Sequence, residues 1–275
     1  MRPTISAIVI ATFCTLIFGA RMASAGFFID LGDISSMTAS QQSAFNSAKA
    51  TWENLITDYQ PNSGGLTGLT IKASIMAIDG AGGILGQAGP TSGITAANGF
   101  TYATVGIMEF DSADIANLES NGSFTSVILH EMAHVIGFGT LWTDNNVYVN
   151  NSGQFTGANA LASYRTEFNQ PTAAFVPVEL GGGGGTRNGH WDESDGGGAN
   201  TGRQTIDGKD MRFELMTGWL NSPAFISNTT VMSFQDIGYI TAVPEPSSYV
   251  LLAVGLSGFW GSRRLRKQHP DGSLA

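Results

Sequence analysis

Two histidines four residues apart, with a glutamate beside the first, are the densest chemistry in this chain: His130-Glu131-Met132-Ala133-His134, then Gly137. On a helix, residues i and i+4 share one face, so His130 and His134 can offer two imidazoles to one metal ion. Glu131 lies one step round and reaches instead toward a water on that metal. This H-E-x-x-H arrangement is what a zinc peptidase requires. Catalytic zinc usually takes three protein ligands and keeps one position for water. The chain has four histidines, and His269 lies in the extreme tail beyond a hydrophobic segment, which leaves His190 as the third imidazole. A carboxylate is the competing third ligand, with Glu167, Glu179, Asp192 and Glu193 as candidates.

The helix that must carry these groups is legible on its own. Asn121-Gly122-Ser123 reads as a turn ending in a capping residue. Phe124, Val127, Ile128, Leu129, Val135 and Ile136 make the following run apolar nearly all round, which predicts a helix buried in a domain centre. Gly137 supplies a left-handed stop without steric strain. His190 follows a five-glycine run at 181–185, a backbone loose enough to turn the side chain inward or to act as a flap.

Further elements frame that helix. The pattern predicts a strand at 27–31, then a helix over 39–57 with Phe45, Ala48, Trp52, Leu55 and Ile56 at helical spacing. A strand over 69–78, a Gly-rich turn-like stretch over 80–98 and a strand over 101–110 follow. Segment 105–109 reads either as the edge of a peptide cleft or as an interior strand. From 140 to 189 regular structure is sparse, with a short helix near 158–165 and a β-like stretch at 174–180. Asp192, Glu193, Asp195, Asn200, Asp207 and Asp210 alternate with glycines, leaving open calcium binding or a solvated acidic loop. The fold class is α+β: a mixed twisted sheet, an active-site helix and a loop-rich C-terminal subdomain.

His-Glu-x-x-His-x-x-Gly with a distant histidine and an apolar methionine resembles the metzincin metallopeptidases. In their common form a third histidine falls three residues after the glycine, where this chain has Thr140. A third histidine displaced by a long insertion resembles the leishmanolysin-like branch. Glu214-Leu215-Met216-Thr217-Gly218 is similar to that branch's Met-turn, with Met211 as the alternative, and residues 231–239 resemble its next helix. The resemblance spans about residues 27–239. It implies a zincin-like fold, zinc on His130, His134 and His190, Glu131 as general base, and Met216 packed under the metal without binding it.

The two ends of the chain read as addresses. Arg2, an apolar run over 5–20 and Ala23-Ser24-Ala25 form a secretory signal peptide, 1–25, with an uncleaved anchor as the alternative. The only cysteine, Cys14, lies inside it, so the mature chain has no thiol. At the other end, 243–275, come Val243-Pro244-Glu245-Pro246-Ser247, an apolar stretch over 249–260 and Arg263-Arg264-Leu265-Arg266-Lys267. This resembles the PEP-CTERM sorting signal. It implies an exosortase partner, a transient inner-membrane contact through a short transmembrane segment, and delivery to the cell surface or extracellular matrix; a plain C-terminal anchor is the alternative. Between 26 and 246, seven Lys/Arg face 21 Asp/Glu, which excludes a basic nucleic-acid footprint. The middle part, 26–242, is then an exported zinc endopeptidase acting on protein or peptide substrates. The rival reading is an inactive or latent zinc-containing surface or matrix protein.

Overall fold

The computed structural model describes residues 26–193 and 202–242. The signal peptide, the sorting segment, and Asp195 and Asn200 of the acidic stretch lie outside them.

The first strand, β1 (Phe28–Asp30), leads to α1 (Ala39–Leu55). Thr38 starts α1 with a capping box, its hydroxyl accepting the Gln41 amide while the Gln41 side chain accepts the Thr38 amide. The helix stops two residues earlier than its periodicity predicts, because Ile56 already belongs to β2 (Ile56–Tyr59). β3 (Gly68–Met76), β4 (Gly86–Thr95) and β5 (Thr101–Asp111) complete a sheet of order β1-β3-β5-β4. β1, β3 and β5 run parallel, and β4 pairs antiparallel with β5 alone.

One expectation changes here and one open alternative is decided. The stretch 80–98 is not all turn, since it contains the ten-residue β4. The strand's three glycines, Ser92 and Pro90 have little strand propensity, so pairing with β5 supplies what the local sequence lacks, and an edge position tolerates the proline. Asp111 Oδ2 ties down the preceding loop by accepting the amides of Asp79 and Gly80, each at 2.8 Å. Segment 105–109 is interior, because β5 lies between β3 and β4; the outer strands are β1 and β4.

After the short α2 (Ile115–Ser120) comes α3 (Phe124–Ile136), the motif helix. No residue of α3 is exposed, as its apolar pattern predicts. Ser123 stands at its N-cap in αR geometry with no side-chain cap bond; Asn121 instead accepts the Ser123 amide at 3.0 Å. Gly137 ends the helix at φ 136°, and the Gly137 and Phe138 amides both donate to the Ala133 carbonyl. α3 packs against α1, β4 and β5. Phe45, Phe110 and Phe124 meet edge to face at 5.4–6.0 Å, and Trp52 Nε1 donates to Leu129 O at 3.0 Å.

The C-terminal half has little regular structure: β6 (Gln154–Phe155), α4 (Ala158–Glu167), β7 (Val176–Pro177), a 3-10 turn Met211–Phe213, α5 (Asn228–Asp236) and β8 (Tyr239–Thr241). Its core is aromatic, with Trp142 and Trp191 stacked at 5.0 Å and Phe138 and Phe155 edge-on to Trp191. α4 and α5 cap each other. Asp236 accepts the Asn159 and Ala160 amides, and Glu167 accepts those of Asn228 and Thr229, all at 2.8–2.9 Å. β8 returns to pair with β2, closing the end of the domain against its beginning. Among the described residues no helix is long and apolar enough to cross a membrane, so the expected transmembrane contact has no support there, and the stretch at 249–260 lies outside them.

Candidate metal centre and active site

α3 presents His130 and His134 on one face, and the chain after β7 returns with His190. The three Nε2 atoms form a nearly equilateral triangle with sides of 2.9, 3.0 and 3.1 Å. Each Nδ1 faces a carbonyl oxygen, which can only accept: Leu215 O for His130 at 2.7 Å, Phe138 O for His134 and Thr186 O for His190, both at 2.8 Å. All three rings are therefore Nδ1–H tautomers whose Nε2 lone pairs converge. Three acceptors cannot satisfy one another, but one cation satisfies all three. A tetrahedral ion at about 2.0–2.1 Å from each nitrogen would hold them about 3.3 Å apart, so the triangle needs to open only slightly. Burial, reinforced by the neighbouring rings, lowers the pKa of His134 to about 3 and that of His190 well below the usual range; burial likewise lowers His130. The imidazoles are neutral, as ligands must be.

Glu131 is buried beside this triangle, and burial pushes its carboxyl up to about 8. Its carboxylate makes no hydrogen bond to a described residue. It leans on the edge strand: a β-carbon placed on Gly86 would lie 3.0 Å from both Cγ and Oε1 of Glu131. Any larger residue there would require the Glu131 side chain to give by a few tenths of an ångström.

Three backbone contacts bring the distant His190 home. Gly139, at φ 73°, touches Gly189 so closely that a β-carbon there would sit 2.4 Å from Gly189 O. On its far side the His190 segment runs beside Glu179, whose amide donates to His190 O at 2.9 Å, while the Trp191 amide donates to Met216 O at 3.0 Å. Thr140, where a closer third histidine would fall, instead donates its hydroxyl to His134 O at 2.6 Å.

The carboxylates considered as third ligands are used elsewhere. Glu167 caps α5, Asp192 lies 3.5 Å from Arg203, and Glu179 Oε1 accepts the Gly181 amide. Glu193 is buried, and neither it nor the other three joins the histidines; theirs is the one metal-ligating cluster among the described residues. Asp207 pairs with Lys209 at 3.1 Å and Asp210 caps the 3-10 turn, so the described acidic groups form no calcium cage. Met216 is fully buried between the Leu215 carbonyl that holds His130 and its own carbonyl that holds Trp191. Met211 sits in the 3-10 turn, its amide bonded to Arg203 O, whereas Met216 adjoins Leu215, whose carbonyl faces His130. Sequence reasoning missed those supports because three of them are backbone carbonyls, which carry no sequence signal.

A histidine triad with an unbonded buried glutamate, on an H-E-x-x-H helix under a mixed sheet, defines a metallopeptidase type of site. The leishmanolysin family model matches residues 97–244, more than half of the chain, and the chain belongs to that family of zinc metallopeptidases. The PEP-CTERM protein-sorting motif matches residues 242–267. A comparison with curated proteins returned no match.

Proposed function

We propose that residues 26–242 form an exported zinc endopeptidase, with the ion held by His130, His134 and His190 and with Glu131 as general base. The convergence of three Nε2 lone pairs within 3.1 Å carries this reading. Bound there, zinc supplies Lewis acidity, which polarises a peptide carbonyl and makes water acidic near neutral pH. Glu131 takes the proton of the attacking water and hands it to the leaving nitrogen. Its lack of a protein partner leaves both oxygens free for that transfer. The unpaired edge of β4 offers main-chain groups on which an extended peptide aligns as an added strand, beside Glu131 at Gly86. The sorting motif supports export, trimming near Pro246 by an exosortase-type enzyme and release to the cell surface or matrix.

The test compares the zinc-loaded parent with Glu131→Gln on an unstructured protein substrate. Cleavage by the parent, abolished by a chelator and at least about 1,000-fold slower in the variant at equal zinc content, is expected. A variant that cuts at the parental rate would remove Glu131 from the chemistry. Zinc bound by both, with neither cutting, would favour a non-catalytic surface protein.

A further inference from the structure

Glu214 stands two residues before Met216 and is 2 % exposed, yet its carboxylate is saturated with donors. Oε2 accepts the Met216 amide at 2.6 Å. Oε1 accepts the Ser227 amide at 3.0 Å, the Ser227 hydroxyl at 2.8 Å and the Thr230 hydroxyl at 2.6 Å. The Thr230 oxygen in turn accepts Trp191 Nε1 at 2.8 Å. Trp191 follows His190, and its amide is bonded to Met216 O at 3.0 Å. Leu215, between Glu214 and Met216, gives its carbonyl to His130 Nδ1. One carboxylate therefore ties together the backbone that orients His130, the indole adjoining His190 and the start of α5.

We infer that Glu214, with Thr230 as its relay, is a positioning residue that sets His130 and His190 at their mutual spacing for the metal. Outer-shell partners of this kind change metal affinity without touching the ion. The geometry also explains why a carboxylate is needed: both oxygens receive only donors. A glutamine would turn its amide N–H against the Met216 amide or against the Ser227 and Thr230 donors. The proposal rests on the histidine metal site described above.

The experiment measures zinc affinity by competition with a chromophoric chelator and the visible spectrum of the cobalt-substituted protein. The parent is set beside Glu214→Gln, Thr230→Val and Asp236→Asn. Asp236 is a half-buried carboxylate that pins α4 to α5, so its variant reports general loosening. Glu214→Gln is expected to weaken zinc by about 10–100-fold and to shift the cobalt bands. Thr230→Val, nearly isosteric, is expected to do so several-fold with a melting temperature of the metal-free protein close to the parent's. Asp236→Asn should lower that melting temperature and leave affinity and spectrum alone. If Glu214→Gln does not fold, Thr230→Val decides on the same readouts. Affinities and spectra in the Glu214 and Thr230 variants no different from Asp236→Asn would overturn the proposal, reducing Glu214 to a packing role. A parent that binds no zinc would instead sink the metal reading itself, and the proposal with it.

Discussion

Glu131 and Glu214 are both buried carboxylates, and their surroundings treat them oppositely. Glu214 receives four donors, whereas Glu131 receives none and is left to water and substrate. A buried acid with no donor is expensive to ionise. Burial raises Glu131 from its ordinary 4.5 to about 8 in the metal-free chain. Between those values the folded chain holds a proton that the unfolded chain has lost. Stability from this group is therefore complete below about pH 4.5 and drains away as pH rises through 8. Metal-free Glu131→Gln should be more stable than the metal-free parent at pH 9, by roughly 3–5 kcal/mol, and no more stable at pH 4. Denaturant melts of the chelated proteins at the two pH values check this; parallel curves would mean that Glu131 is not perturbed.

Among the elements, α3 and β4 show where sequence reading works and where it stops. α3 is announced by its apolar periodicity and its H-E-x-x-H spacing, because both are local properties of one helix. β4 is announced by nothing, because its strand character comes from β5 across the ladder. The consequence bears on the proposed function, since β4 carries Gly86 against Glu131, the proposed general base. Gly86→Ala places a methyl group 3.0 Å from Glu131 Cγ and Oε1 and must push the carboxylate aside. The expected result is a fall in kcat of about 10-fold or more with zinc content unchanged, measured by steady-state kinetics and metal analysis. Normal turnover in the alanine variant would show that Glu131 tolerates the shift.

On the scale of the whole molecule, the histidine triad is a cross-link between halves. His130 and His134 belong to the helix under the sheet, His190 to the loop-rich half that follows. Without an ion, the three Nε2 lone pairs face each other at the seam. With zinc at a thousand times its Kd, linkage contributes roughly 4 kcal/mol to folding. Chelation should therefore lower the melting temperature by about 8–16 °C. Amide exchange should rise most in the 179–191 segment, which hydrogen exchange with mass spectrometry would register. An unchanged melting temperature would mean that the triad is held without metal.

The sequence alone pointed to the candidate ligand pair, the proposed general base and the helix that bears them, since spacing on one helix fixes which side chains share a face. It also singled out His190 by histidine count, with four carboxylates as rivals, and the sorting motif by composition and order. Tertiary structure alone decided which strand borders the site, which carbonyls face the three histidines, and that the Glu214 carboxylate links the backbone beside His130 to the indole after His190. Those facts rest on residues far apart in the chain meeting through backbone groups, such as Gly139 against Gly189 and Leu215 against His130, and a backbone carbonyl is the same in every residue. No local pattern can encode it.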